Sequence, residues 1–349
     1  MTADIALDRG SDTVVEVDSD VAATDDSPTP GDTIVIDSPA DDPASGDSAF
    51  DSPSDSATPD ATPLDVLTDV PGEVRADAPP PDAARDPEIV AAGDIAGLLL
   101  LFGQNETAAI VDRYPTATVL TLGDNAYQSG SDLEFALWYA PSWGRFLSRT
   151  RPSPGNHDYM TSNASGYFNY FGARAGTRGE GWYSYDVGAW HLISLNSNCS
   201  DVGGCTAMST QGRWLAADLA ATSARCVLAY WHHPRFSSGM HGDSLGMQPF
   251  WQMLYDANAD VVLVGHDHTY ERFAPQNAAG AADSARGVRE FVVGSGGAPH
   301  YSFTRTAPNS EVRNGSDWGV IRMVLHADSY NWEFVAAGGV RDLGAGACH

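Results

Sequence analysis

Aromatic residues are distributed very unevenly along this 349-residue chain, and this limits which part of it can fold. Only Phe50 of the 34 Trp, Tyr and Phe residues lies before position 88. A segment without large apolar side chains cannot offset the entropy lost when its backbone is ordered. Residues 1–87 are instead a low-complexity mixture of Asp, Ser, Pro and Ala with 22 acidic residues against three arginines. We therefore predict a disordered, extended acidic linker over residues 1–87 and one folded domain over residues 88–349.

Charge and hydropathy argue against two classes of protein. The formal net charge is −27, and all 19 basic residues are arginine, which disfavours a nucleic-acid-binding surface. The longest apolar run, Ile95–Phe102, is much shorter than the ~20 residues of a membrane-spanning helix. We expect neither a nucleic-acid partner nor a transmembrane segment, and the sequence leaves the oligomeric state open.

From residue 88 onward, short apolar runs alternate with segments of helical period, and several hairpins follow. The predicted strands are Glu88–Gly93, Ala117–Leu122, Trp182–Asp186, Trp190–Asn196, Cys226–Trp231, Asp260–Val264, Arg289–Val293, Gly319–His326 and Asn331–Ala336. The predicted helices are Glu106–Tyr114, Asp132–Tyr139, Gln211–Ser223 and Met247–Ala257. This order predicts an α/β fold, a layered α-β-β-α sandwich of two mixed sheets flanked by helices.

Five short polar blocks contain residue types that bind metals, and four of them stand at or just beyond the end of a predicted strand. The blocks are Gly93-Asp94, Gly123–Tyr127, Gly155–Asp158, His232–Pro234 and Gly265–His268. Ligand sites of open α/β sheets lie at the carboxyl ends of the strands. In four of the blocks a glycine precedes the first candidate ligand, which allows a sharp turn and a close approach to an ion. We expect these side chains to converge.

Each block alone has a simpler interpretation. Asp94 or Asp124 would cap a following helix, Asn156 would be a turn residue, and His232 would be an ordinary core or surface histidine. Only Gly265–His268 favours a metal site by itself, because two histidines at i and i+2 project to one side of an extended chain. The five blocks together, in this order, favour a metal centre.

Taken as a set, GD, GDNAY, GNHD, HHP and GHDH resemble the calcineurin-like metallophosphoesterase superfamily, and Tyr127 makes them most similar to its purple acid phosphatase branch. The resemblance spans Glu88 to about Ala337. It implies two metal ions bridged by Asp124, one bound by Asp94, Tyr127 and His268, the other by Asn156, His232 and His266. Carboxylate, phenolate and imidazole suit Fe3+, and an amide with two imidazoles suits a divalent ion such as Fe2+, Zn2+ or Mn2+.

The resemblance also implies two catalytic histidines. His157 matches the family's histidine that contacts the phosphate and protonates the leaving group, and Asp158 is a candidate to orient it. His241, in a His-Gly pair after His232, matches a further histidine of the small, mammalian-type members. The simpler interpretation is a turn histidine for His157 and a loop histidine for His241.

The sequence departs from the family's pattern in the first and last blocks. Ala96 stands where many superfamily members have a histidine ligand, so that Tyr127 becomes the necessary replacement. Thr269–Arg272 resembles the plant-type enzymes, whereas other motifs resemble the small ones, and this leaves the substrate open.

The expected function is hydrolysis of phosphate monoesters on a small phosphorylated substrate, by a metal-bound hydroxide. A phosphodiesterase acting on nucleotides or phospholipid headgroups is the alternative among enzymes. A non-catalytic binding module with a vestigial metal site is the alternative of another class. Such a module should have lost ligands, whereas all seven are present here.

The four cysteines predict disulfides and, through them, export. Cys199 and Cys205 bracket a short loop with two glycines that can bend back within bridging distance, and this leaves Cys226 to pair with Cys348. Two further pairings are open from the sequence alone, and buried free thiols are the alternative. Against export, Met1–Gly10 has neither the basic start nor the apolar run of a signal peptide.

Overall fold

The computed structural model of the protein describes residues 85–98 and 101–349. Apart from its last three residues, the predicted acidic linker lies outside the described part. The described residues form thirteen strands: β1 (Glu88–Ala92), β2 (Thr118–Leu122), β3 (Thr150–Ser153), β4 (Tyr183–Val187), β5 (Trp190–Ser194), β6 (Cys226–Tyr230), β7 (Val261–Val264), β8 (Tyr270–Phe273), β9 (Arg289–Val293), β10 (Ser310–Asn314), β11 (Gly319–Leu325), β12 (Ser329–Ala336) and β13 (Gly339–Ala347).

The α-helices are α1 (Gln104–Val111), α2 (Asp132–Glu134), α3 (Ser165–Phe171), α4 (Thr210–Ala221) and α5 (Gln248–Asp256). A π-helical turn, Phe135–Tyr139, follows α2. Short 3-10 turns cover Trp143–Arg149, Asp158–Met160, Ser162–Ala164, Gly172–Ala175 and Leu245–Met247.

The strands form two mixed sheets, in the orders β13-β12-β11-β1-β2-β3 and β10-β8-β9-β7-β6-β5-β4. β1, β2 and β3 run parallel in the first sheet, as do β5, β6, β7 and β9 in the second. Their carboxyl ends therefore lie at one edge of each sheet, and the loops that follow them are free to carry a site.

Alternate residues of β6 show how the layers pack. Leu228 and Tyr230 belong to the large core that also contains the first sheet, whereas Val227 and Ala229 belong to a second core with residues of α4 and α5. Because successive side chains of a strand point to opposite faces, one face of the second sheet meets the first sheet and the other is covered by helices. The predicted α-β-β-α sandwich is confirmed.

The sequence prediction missed five elements: β3, α3, β8, β10 and β13. β3 is only four residues long and contains Pro152, which lacks a backbone donor and so fits the edge of the sheet, where this strand lies. β13 is rich in glycine, and two of its glycines pack under the aromatic rings of Trp332 and Tyr330. Neither strand has the dense apolar pattern by which the buried strands are recognised.

Both predicted disulfides are confirmed. Cys199 and Cys205 are bridged, with Cα atoms 5.1 Å apart, and Cys226 is bridged to Cys348, with Cα atoms 5.4 Å apart. The second bridge joins β6 to the end of the chain beyond β13. None of the helices in the described ranges has the length and apolar character to cross a membrane.

Candidate metal centre

All five polar blocks follow strands and meet at one place. β1 leads to Asp94, β2 to Asp124, β6 to His232 and β7 to His266. The fifth block, for which the sequence showed no strand, follows β3, which leads to Asn156. The principle that ligands gather at the carboxyl ends of parallel strands therefore holds for every block.

The backbone around the centre is tightly packed, which explains why glycines precede the candidate ligands. A Cβ atom on Gly155 would lie 2.1 Å from Asp124 Oδ1. Gly123 has a φ of +85°, and a Cβ there would lie 2.5 Å from His232 Nδ1. Only glycine permits such a backbone and such an approach.

One half of the centre gathers around the hydroxyl of Tyr127. This oxygen lies 2.9 Å from Asp94 Oδ1, 3.1 Å from Asp124 Oδ2 and 3.0 Å from His268 Nε2. The backbone of Ala96 holds Tyr127 in place, because its carbonyl accepts the Tyr127 N–H at 2.7 Å. The position that lacks a histidine therefore supports the tyrosine that the resemblance makes a candidate ligand.

The other half gathers around Nε2 of His232. This atom lies 3.0 Å from Asn156 Oδ1, 3.3 Å from Asp124 Oδ2 and 3.2 Å from His266 Nδ1. Asp124 Oδ2 is thus within reach of both halves, as the family resemblance implies for a bridging carboxylate.

Neighbouring backbone groups fix the orientation of the candidate ligands. His232 Nδ1 lies 2.8 Å from the carbonyl oxygen of Leu122, and His268 Nδ1 lies 2.7 Å from that of Pro299. The second oxygen of each carboxylate is also occupied, because Asp94 Oδ2 accepts the His266 N–H and Asp124 Oδ1 accepts the His157 N–H, both at 2.8 Å. Such outer contacts leave the remaining imidazole nitrogens and carboxylate oxygens directed at the centre.

The electrostatics of the cluster favour a bound cation. Asp94 and Asp124 are fully or almost fully buried, and neither pairs with an arginine within the described ranges. Burial, with the charges of Asp124 and Asp94, raises the pKa of the Tyr127 hydroxyl well above its ordinary value. Burial would raise the pKa of Asp124 as well, but His232 and the other histidines lower it below its usual range. Two buried carboxylates, a phenol, an amide and three imidazoles fit a pair of metal ions.

Both predicted catalytic histidines lie beside this cluster. The ring of His157 is centred 4.5 Å from that of Tyr127, and its Nδ1 lies 2.5 Å from the carbonyl oxygen of Gln128. The ring of His241 is centred 4.3 Å from that of His266. The two histidines approach the centre from its opposite halves.

Asp158 does not orient His157, contrary to the sequence expectation. Its Oδ2 accepts hydrogen bonds from the Gly155 N–H and the Asn125 side-chain amide, both at 2.9 Å. Burial and the charge of Asp124 raise its pKa to about 7. Asp158 instead fixes the turn that carries Asn156, and the Gln128 carbonyl positions His157.

Sequence reasoning assigned no role to three residues at the centre. His233 offers a ring nitrogen within 4.8 Å of those of His232 and His266, and burial together with the charge of His232 lowers its pKa to about 3. Tyr301 stacks on His268 with ring centroids 4.0 Å apart. Asp267 Oδ1 accepts the backbone N–H of His241 at 2.9 Å. Tyr301 lies eight residues beyond the end of β9, too far along the loop for the strand-end criterion to find it.

Comparison with known proteins agrees with this fold and shows the family of the chain. Residues 67–270, more than half of the chain, match the family model of calcineurin-like phosphoesterases. The chain belongs to this family of metallophosphoesterases. The match begins inside the segment predicted as linker.

Within the family, the relatives to which the chain is similar include purple acid phosphatases. It is 30% identical to purple acid phosphatase 21 of Arabidopsis thaliana over 41% of this chain and 38% of that protein. It is 27% identical to acid phosphatase type 7 of Mus musculus over 51% of this chain and 48% of the relative. The chain therefore spans less than half the length of these two relatives. The solved purple acid phosphatase PPD1 of yellow lupin shares its fold, with a TM-score of 0.63, 17% identity, and 75% of this chain and 53% of that chain covered.

Proposed function

We propose that the protein is a dinuclear metallophosphatase that hydrolyses phosphate monoesters. The observation that carries this proposal is the convergence of all seven candidate ligands around one shared carboxylate, Asp124. A binding module that had lost its metals would have no reason to keep two carboxylates buried beside a phenol, an amide and three imidazoles. The completeness of the set therefore supports an enzyme over the non-catalytic alternative.

Two ions, when bound, would polarise the phosphoryl group and lower the pKa of water so that it can attack phosphorus. In the reaction, water adds to phosphorus, the P–O bond to the alcohol breaks, and the alcohol leaves with a proton. No nucleophilic side chain is then needed.

The chain's own residues supply position and protons. His157 and His241 flank the centre and would hold the phosphate oxygens, and His157 would donate the proton that the alcohol takes. The carbonyl of Gln128, 2.5 Å from His157 Nδ1, would hold this imidazole with Nε2 free for the substrate. Asp267 fixes the loop that presents His241.

The identity of the ions follows from the donor types. Asp94, Tyr127 and His268 form a hard set suited to Fe3+, whereas Asn156, His232 and His266 suit a softer divalent ion such as Fe2+, Zn2+ or Mn2+. The raised pKa of Tyr127 means that the phenol is protonated without metal. Binding of a trivalent ion would displace this proton.

We place the enzyme outside the reducing cytosol. The two disulfides support this location, because such bridges form and persist in oxidising compartments. Fractionation of the producing cells, with activity in the exported fraction, is the corresponding test.

Activity on the metal-loaded full chain tests the proposed function. The expected result is hydrolysis of phenyl phosphate at a rate well above that of bis(4-nitrophenyl) phosphate, and loss of this activity by orders of magnitude in Asp124→Ala. The matched control is Asp256→Ala, an exposed carboxylate at the end of α5. Faster hydrolysis of the diester would favour the phosphodiesterase alternative, and near wild-type turnover in Asp124→Ala would refute the dinuclear mechanism.

A further inference from the structure

A cavity of about 500 Å3 adjoins the metal centre on the side of Asn156. Its inner wall includes Asn156 and His233, and its outer wall includes Tyr159 and Asp201. Asn156 Oδ1 lies 3.0 Å from His232 Nε2, and the ring of His233 is centred 4.5 Å from that of His266. The cavity therefore opens directly on the candidate ligands, and its volume lies within the ~300–1,000 Å3 of small-molecule sites.

The wall of this cavity is held by its own hydrogen bonds. The Asn196 side-chain amide donates to the Tyr159 hydroxyl at 2.7 Å, and Asn196 Oδ1 accepts the Asn198 N–H at 3.0 Å. Ser197 Oγ lies 2.8 Å from His233 Nδ1. The Cys199–Cys205 bridge closes the loop that carries Asp201. A wall fixed in this way keeps its shape without a ligand, so that binding costs little ordering entropy.

The charged side chains of the cavity wall are of one sign, negative. Asp201 is the only acidic residue of the lining, and none of the lining residues that the structure describes is an arginine. The other lining side chains offer hydroxyls, amides, a phenol, a thioether and the imidazole of His233. Burial raises the pKa of Tyr159 to about 12, and the Asp201 carboxylate acts in the same direction, which agrees with a negative charge near the phenol. An anion here would face Asp201 with no arginine in the lining to pair with, whereas an ammonium group would be attracted by the carboxylate and the aromatic ring.

We propose that this cavity receives the leaving group of the substrate and selects phosphate monoesters of small polar alcohols that are uncharged or carry an ammonium group. Esters whose alcohol carries a carboxylate or a second phosphate are disfavoured. This inference rests on the proposed phosphatase function and adds to it a substrate class and a residue, Asp201, that sets it.

Three esters of similar length test this selection on the metal-loaded full chain at pH 7. They are 2-aminoethyl phosphate, 2-hydroxyethyl phosphate and carboxymethyl phosphate. We expect kcat/KM to be highest for the amine or the alcohol and lowest for the carboxylate. In Asp201→Asn the amine-to-carboxylate ratio of kcat/KM should fall by about three- to fivefold, which is the effect of one exposed charge. Asp256→Asn, at the end of α5 and before the start of β7, should leave this ratio unchanged.

The outcomes separate this inference from the proposed function. Hydrolysis of all three esters with an amine-to-carboxylate ratio that Asp201→Asn does not change would overturn the inference and leave the phosphatase standing. An equal fall of the ratio in both variants would assign the effect to net charge and would also overturn it. If neither these esters nor phenyl phosphate were hydrolysed, the proposed function would fail and the inference with it.

Discussion

The two disulfides should differ strongly in what they contribute to stability. Cys226 and Cys348 are 122 positions apart and Cys199 and Cys205 only 6. In the chain-entropy model, closing these loops lowers the entropy of the unfolded chain enough to stabilise the fold by about 5 kcal/mol and about 2 kcal/mol, respectively. For a domain of this size, about 5 kcal/mol corresponds to a loss of roughly 10–20 °C in melting temperature.

The test is equilibrium urea unfolding of two double variants, Cys226→Ala with Cys348→Ala and Cys199→Ala with Cys205→Ala. Each variant removes two sulfur atoms, so the difference between their free energies of unfolding reports mainly on loop length. We expect the first variant to lose about 3 kcal/mol more than the second. The second should instead raise KM, because its bridge closes the wall of the cavity beside Asn156. Equal losses, or a larger loss from the short loop, would refute the entropic reasoning.

Three further predictions concern other parts of the molecule. Iron-loaded protein should show a visible charge-transfer band that Tyr127→Phe shifts or abolishes, and a colourless iron-loaded protein would exclude the phenolate ligand. His191 lies 2.9 Å from Asp218 and 2.8 Å from Asp186, and these contacts raise its pKa despite partial burial. His191→Gln should therefore lower the free energy of unfolding by about 1 kcal/mol near pH 5, and by progressively less as the pH rises through the raised pKa. An equal loss at pH 5 and pH 9 would contradict this. A chain that starts at Arg85 should match the full chain in specific activity and melting temperature, and failure to fold would refute the linker prediction.

The buried strands were predictable because their apolar runs are continuous. β2 and β6 are covered on both faces, so nearly every residue in them is buried, and such runs stand out in a sequence. β3 and β13 lie at the edges of their sheet and carry Pro152 and several glycines, so their residues reflect edge geometry rather than burial. The sequence thus indicates the central strands of the sandwich more clearly than its edge strands.

The candidate ligands were predictable for a related reason. Each lies within five residues of the end of a strand, in a short polar block that can be recognised locally in the sequence. The residues around them were not, because their roles depend on contacts between distant loops. Gln128 positions His157 through a backbone carbonyl, and because every residue has such a group, the residue type does not reveal this role. The neighbouring Asp158 was expected to orient His157 and does not. His233 stands beside the candidate ligand His232, which by itself accounts for the polar block, so nothing in the sequence indicated a role for His233.

Metal content per chain tests the central claim most directly. The full-length protein is loaded with iron and zinc, dialysed, and analysed for bound metal by elemental analysis alongside Asn156→Ala and Asp124→Ala, with circular dichroism to confirm folding. Because Asp124 Oδ2 lies within reach of both halves of the centre and Asn156 belongs to one, we predict about two ions for the wild type, about one for Asn156→Ala and almost none for Asp124→Ala. A folded wild type that holds less than one ion per chain, or an Asp124→Ala variant that binds as much metal as the wild type, would contradict the dinuclear centre.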